Sequence, residues 1–249
     1  MVGMMPPINS SVYSSFAGSF AGCIRLLAGL LGHARAIRHW CLSSAIAILV
    51  MSAGLSMSAL ADLPRILVLG DSLVAGYGLP PGQSFPDALR RSLAAEGRDV
   101  TVINAGVSGD TTAGGLARLE WSLGDNPDAV IIVLGGNDML RGLDPVATRS
   151  NLDTLIAALR QRDIHVLLAG MMAPRNMGPD FVDAFDSLYP DLARKYDIGL
   201  YPFFLEGVAL DPDLNLPDGL HPNEQGIDEI VRRIRPSVDR LLDRVDGGT

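Results

Sequence analysis

Cysteine is nearly missing from this 249-residue chain, with Cys23 and Cys41 its only two. Everything downstream of them folds without disulfides and has no thiolate to act as nucleophile or zinc ligand. Acidic residues are absent from residues 1–61, which carry three basic groups, Arg25, Arg35 and Arg38. All 28 Asp and Glu therefore lie beyond Ala61 beside 17 of the 20 Lys and Arg, and that part of the chain carries a net charge of −11. Such a surface repels phosphate backbones and anionic lipid, which argues against nucleic-acid binding and against anchoring by a basic patch. No Gly-Lys-Ser or Gly-Lys-Thr occurs anywhere, so a phosphate-binding loop of the nucleotide type is excluded. Histidine is scarce as well: beyond residue 61 there are only His165 and His221.

The hydrophobic share of 48%, with a mean hydropathy of +0.25, is high for a soluble protein and has a local source. Arg35 and Arg38 precede a charge-free span, Cys41 to Leu60, which ends in Ala59-Leu60-Ala61 just before Asp62. A positive region, an apolar region and small residues at the cut are the order of a secretory signal, here cleaved after Ala61. The rival is an uncleaved membrane anchor, because about 20 apolar residues span a bilayer. Ser, Gly and Met dilute the second half of the span and favour cleavage. Lipidation at Cys23 is a weaker alternative, since no basic residue precedes it. Residues 1–61 are thus expected to be an extension plus signal peptide and 62–249 a single domain, periplasmic or secreted, or membrane-anchored if the leader is kept.

A body of this length can bury roughly 70% of its unfolded surface, enough for one core. Five short apolar runs, Arg65–Leu69, Asp99–Ile103, Ala129–Leu134, Ile164–Ala169 and Gly199–Phe203, read as buried parallel strands because they are continuously apolar. Leu152, Leu155, Ile156 and Leu159 fall at helical spacing, as do Ile227, Ile230, Val231, Ile234, Val238 and Leu241, with Pro236 expected to kink that last helix. Strands alternating with helices predict an α/β three-layer sandwich around a five-stranded parallel sheet. In such sheets the chemistry lies outside the carboxyl ends of the strands.

Four loops there carry polar residues. Gly70-Asp71-Ser72-Leu73 follows the first strand, and Ser72 is either a nucleophile or part of a helix cap. The loop Asn104-Ala105-Gly106-Val107-Ser108-Gly109-Asp110-Thr111-Thr112 reads alone as a glycine-rich turn capped by Asp110 or Thr111. In Gly135-Gly136-Asn137-Asp138, Asn137 either presents an amide to a pocket or holds its own turn. The last, Asp218-Gly219-Leu220-His221-Pro222-Asn223, puts Asp218 three residues before His221, so the carboxylate can accept from one ring nitrogen while the other faces Ser72. Asn223 is free to cap the final helix, and His165, at a strand start, suits a solvated or core-edge role.

These four segments resemble the four sequence blocks of the SGNH (GDSL) hydrolase family, named for Ser, Gly, Asn and His in that order. The matching residues are Ser72, Gly106, Asn137 and His221 with Asp218, and the resemblance spans residues 64–242. Within the family, Gly-Asp-Ser-Leu-x-Ala-Gly-Tyr, Ser-Gly-Asp-Thr-Thr-Ala-Gly-Gly and Asp-Gly-Leu-His-Pro-Asn are similar to the bacterial periplasmic thioesterase I, lysophospholipase and arylesterase branch. The resemblance implies a flavodoxin-like sheet of strand order 2-1-3-4-5, no cofactor and no metal, and hydrolysis of esters or thioesters through Ser72, His221 and Asp218. It also implies an oxyanion hole made by the N–H groups of Ser72 and Gly106 and the Asn137 amide. After Tyr77 the chain departs into Gly78-Leu79-Pro80-Pro81-Gly82, which looks closer to the arylesterases and leaves substrate preference open.

Asp211, Asp213 and Asn215 imitate half of a calcium loop, but Leu216 and Pro222 replace its glycine and closing glutamate, so a solvated turn is expected. Met177 and Phe181 lie in or beside the Gly- and Pro-rich stretch Ala173–Asp180 and could line an acyl pocket. The expected protein is a monomeric serine hydrolase of small acyl esters or thioesters, with no nucleic-acid partner and no stable membrane insertion once the signal is cut. A carbohydrate or peptidoglycan O-acetyl esterase using the same residues, a peptidase, and a non-catalytic flavodoxin-like ligand-binding module are the alternatives. Mass spectrometry of the exported protein should find Asp62 at its N-terminus; retention of Cys41–Ala61 would instead support the membrane anchor.

Overall fold

The structure, a computed structural model, describes residues 63–247, so the expected signal and its cleavage site lie outside the described residues. Five strands form one parallel sheet: β1 (Arg65–Gly70), β2 (Thr101–Gly106), β3 (Ala129–Val133), β4 (His165–Ala169) and β5 (Gly199–Tyr201). Their order is β2-β1-β3-β4-β5, as the family resemblance implies. No described helix is long and apolar enough to cross a membrane.

β1 and β3 sit at the centre, and their residues from Ile66 and Ala129 onward are fully buried, which is why their runs are continuously apolar. β2 departs from the expectation of a buried strand. It is an edge strand with half-buried or exposed residues throughout, and it starts at Thr101 and continues through Asn104, Ala105 and Gly106, which were expected in a loop. The reason is pairing: Asn104 stands level with Val68 and Gly106 with Gly70, so the backbone ladder carries the polar residues along. β5 is the opposite edge and stops at Tyr201.

Among the described residues, α-helices α1 (Ser72–Ala75), α2 (Phe85–Ala95), α3 (Thr112–Ala117), α4 (Leu119–Ser122), α5 (Gly136–Leu140), α6 (Pro145–Arg160), α7 (Pro179–Tyr196) and α8 (Glu224–Gly247) accompany the sheet. Among them α2 packs with α8 and α6 with α7, giving the two helical layers around the sheet. α6 buries Leu152, Leu155, Ile156 and Leu159, and α8 buries all six residues expected from its spacing. α8 remains helical across Pro236. Asn223 caps it, its Oδ1 accepting from the Gly226 N–H at 3.0 Å. The buried Arg235 joins the two helices of its layer, donating to the Ser92 carbonyl at 2.9 Å and pairing with Glu96 and Asp239.

Register fixes where the loops leave the sheet. Gly70 is level with Gly106 on one side and Val133 on the other, so the three loops after β1, β2 and β3 start side by side. The close packing has a steric condition: a Cβ at Gly106 would overlap the backbone of Ala75 in α1. Gly106→Ala should therefore push the serine-bearing helix off the sheet. We expect a loss of about 2 kcal/mol, read as a fall in Tm of roughly 4–8 °C by thermal unfolding.

Candidate active site

β1 ends at Gly70, and Asp71 caps the short α1, its Oδ1 accepting from the Leu73 N–H at 3.0 Å. Ser72 is the first residue of that helix, where a backbone N–H has no partner within the turn. Its Oγ lies 2.9 Å from His221 Nε2. His221 Nδ1 lies 2.7 Å from Asp218 Oδ2, completing a chain of three side chains whose two links span 149 and 3 residues in sequence.

The Asp218 to His221 turn is built by its own carboxylate. Asp218 Oδ1 accepts from the Leu220 N–H at 2.9 Å and the His221 N–H at 3.0 Å, leaving Oδ2 for the imidazole. Those two amides and then the imidazole hold the Asp218 carboxyl down at about 2. The effect comes from hydrogen bonds rather than burial, since 36% of the side chain is exposed. An ionised carboxylate only accepts, so Nδ1 carries the proton and Nε2 turns its lone pair toward Ser72. The turn is anchored behind by the Leu216 N–H donating to the His221 carbonyl at 2.7 Å. On the other side the half-exposed Tyr77 ring packs against His221, centroid to centroid 4.5 Å.

Asn137 comes from the loop after β3. Gly135 takes a φ of 110°, and a Cβ there would overlap the hydroxyl of buried Tyr189, which donates to the Leu134 carbonyl at 3.0 Å. That turn brings Asn137 beside the serine loop, where its Nδ2 donates to Asp71 Oδ2 at 3.0 Å. Asn137 thus reaches across to another loop, and one of its two amide hydrogens remains for a ligand. Asp71 is 2% exposed, and burial pushes its carboxyl up to about 6 against the opposing pull of the Leu73 N–H, Asn137 and His221.

Gly106 stands differently from the expectation. Its N–H donates to Asn104 Oδ1 at 2.9 Å, so that amide is already occupied, and the glycine answers to the close approach of α1. Farther along the same loop, Gly109 has a φ of 82° and its carbonyl accepts from Arg141 at 2.7 Å. Thr111, one of the two expected caps, caps α3 by accepting from the Gly114 N–H at 3.3 Å, while Asp110 pairs with Arg118 at 2.7 Å. Arg118 also donates to the Gly70 carbonyl at 2.9 Å, tying this loop to the serine loop.

Sequence reasoning passed over Asp138. It is buried and accepts from the Thr112 N–H at 2.9 Å, the Thr112 hydroxyl at 2.5 Å and the Thr148 hydroxyl at 3.3 Å, joining α3, α5 and α6. Its signal was the acidic residue next to Asn137, unreadable without knowing that Thr112 lies opposite. Met177 and Phe181 are half-buried against the core, and Phe181 stacks on Phe185 with ring centroids 5.9 Å apart. The Asp211 to Asn215 turn is less solvated than expected. Asn215 is buried and donates to the Val208 carbonyl at 2.6 Å and the Asp211 carbonyl at 2.7 Å. His165 starts β4 at the sheet margin, where desolvation and then the charges of Arg160 and Arg244 lower its pKa.

Comparison with known proteins agrees with this geometry. Residues 68–228 match the model of the GDSL-like lipase/acylhydrolase family. The chain is 44% identical over 162 residues to an arylesterase of Vibrio mimicus, covering 65% of this chain and 81% of that protein. It is 36% identical over 179 residues to thioesterase 1/protease 1/lysophospholipase L1 of Escherichia coli K12, covering 70% and 85%. Among solved structures, the SGNH-hydrolase family esterase AlinE4 is 46% identical with a TM-score of 0.62, covering 74% of this chain and 99% of that one. With its sheet order, its four loops and this match, the chain belongs to the GDSL-like lipase/acylhydrolase family of hydrolases.

Proposed function

We propose that the protein hydrolyses carboxylic esters or thioesters of small acyl groups, with Ser72 as nucleophile, His221 as general base and acid, and Asp218 as the group that orients His221. The observation carrying this reading is the unbroken chain from Ser72 Oγ through both nitrogens of His221 to Asp218. His221 Nε2 takes the hydroxyl proton as Oγ attacks the acyl carbonyl, and it returns that proton to the departing alcohol or thiol. A water activated the same way then releases the acyl group from Ser72. Asp218, held down at about 2 and so ionised at neutral pH, stabilises the imidazolium formed in both steps.

The carbonyl oxygen, negative in the tetrahedral intermediate, is held by the Ser72 N–H and the free hydrogen of the Asn137 amide. We assign the third donor to the Gly109 N–H in place of Gly106, whose amide is spent on Asn104. Gly109 lies on the same loop and is braced by Arg141 from the end of the helix that carries Asn137. Met177 is the side chain we assign to the acyl side, Phe181 contributing through its stack on Phe185. The names of the relatives, an arylesterase and a thioesterase, support an acyl substrate with an aryl or thiol leaving group. The leader read from the sequence supports action outside the cytoplasm.

Hydrolysis of a graded series of p-nitrophenyl esters and of an acyl-CoA by the mature protein tests the reading. Ser72→Ala should lower turnover at least about 10³-fold while Tm moves by no more than a few degrees, because truncating one loop hydroxyl changes stability little. Activity retained by a folded variant would remove Ser72 as nucleophile. His221→Ala should match that loss, and the double variant should be little worse than either, as expected of groups that act as a unit. Losses that multiply would show the two working separately. Asn137→Ala should lower kcat on the order of 10²- to 10³-fold with KM nearly unchanged, since its donor gains strength only as charge develops. A destabilised Asn137→Ala with normal kcat per folded molecule would take Asn137 out of the oxyanion hole.

A further inference from the structure

We propose that Asp71 is a positioning residue for the reaction: it holds the Asn137 side chain in the one orientation that aims an N–H, rather than a carbonyl oxygen, at the oxyanion. The inference rests on the proposed role of Asn137 and goes beyond it, because it assigns work to a buried carboxylate that the triad does not use.

The two ends of an Asn side chain have nearly the same shape and opposite polarity. Turning the amide by half a turn would replace a donor at the reacting oxygen by a repelling acceptor. An ionised carboxylate accepts only, so Asp71 Oδ2 at 3.0 Å admits the Nδ2 end of Asn137 and rejects the Oδ1 end. Asp71 is itself immobilised by the Leu73 N–H on its other oxygen and by burial. Because Leu73 follows Ser72 directly, one carboxylate sets both the start of the nucleophile helix and the direction of the oxyanion donor.

Capping alone does not account for the residue. Ser, Thr or Asn would cap α1 without burying a charge. A carboxylate whose burial raises its pKa instead weakens the folded state at neutral pH. Among the described residues, the charged and titratable groups around it give it no direct counter-ion. His221 draws its pKa down and Asp110 pushes it up. The Arg118 guanidinium is engaged by Asp110 and the Gly70 carbonyl, Asp138 by Thr112 and Thr148, and Tyr189 by the Leu134 carbonyl.

The same geometry makes the orientation sensitive to protons. Above about pH 6 the Asp71 carboxylate is ionised and selects the donor end of Asn137. As pH falls through that value it gains an O–H, which is a donor and favours the turned amide. Protonation of Asp71 therefore lowers activity on the acid side through Asn137.

A double-mutant cycle on the full-length mature protein tests the proposal. Asp71→Asn should lower kcat roughly 10- to 100-fold with KM changed less than about 2-fold, and in the Asn137→Ala background the same change should cost almost nothing further. Losses that multiply, or an Asp71→Asn variant with normal kcat, would overturn it. Asn137→Ala with unchanged kcat would defeat the oxyanion reading and this inference together, and so is distinguishable from failure of the inference alone. The pH profile gives a second route that needs no substitution at Asp71. The fall of log kcat/KM toward acid pH should be steeper in the wild type than in Asn137→Ala; equal slopes in both proteins would overturn the proposal even if Asp71→Asn fails to fold.

Discussion

The alignment of three strand ends is the constraint on which the site depends. β1 pairs with β2 and β3 so that Gly70, Gly106 and Val133 finish at one level, and the residues that follow, Ser72, the Gly109 loop and Asn137, are neighbours for that reason. A shift of one residue in either pairing would move those loops by about 3.3 Å, more than a hydrogen bond tolerates. β1 and β3 are covered on both faces, and a one-residue slip would turn each of their side chains toward the opposite helical layer, where it would have to pack against different neighbours.

Two aspartates are driven in opposite directions within this frame. Asp218 is partly exposed and held down by backbone amides, so it stays charged and can steady an imidazolium. Asp71 is buried and pushed up to about 6, with the Leu73 N–H, Asn137 and the nearby His221 pulling the other way. Environment therefore separates two chemically identical groups, one holding the His221 ring and the other the Asn137 amide. The difference is set by which carboxylate has lost its water, not by proximity to the serine.

Much of the fold was legible because its signals are local. Runs such as Ile66–Leu69 and Ala129–Val133 are apolar enough to be read as central strands, and the spacing from Ile227 to Leu241 describes the buried face of α8 correctly. Ser72, His221 and Asp218 were legible through short motifs, the last two because a spacing of three fits a single turn. Edge position was not legible: β2 is half exposed because it has one neighbour in the sheet, a property of topology rather than of its own residues. Gly106 misled for a related reason. A glycine demanded by a close backbone and a glycine offering a free N–H look alike in sequence, and only the Asn104 hydrogen bond separates them. Asp71 and Asp138 stayed hidden because each partner that matters comes from a different loop.

Those hidden contacts explain how loops can carry chemistry that needs fixed geometry. Arg118 binds the Gly70 carbonyl and Asp110, Asp138 binds Thr112 and Thr148, and Asn137 binds Asp71, so the loops after β1, β2 and β3 form one polar network. Its members are largely buried, and each lost partner would leave an unpaired polar group in low dielectric. A network of that kind resists independent motion of any one loop. Donors meant for a transition state are useful only if they need not reorganise when charge appears, and a shared, fully bonded support supplies that condition. The His221 loop lies outside this network and is braced separately, by Leu216 and by the Asn215 to Pro222 bridge. His221 therefore reaches Ser72 from a separately braced loop, and the 2.9 Å contact between them is where the two parts of the site meet.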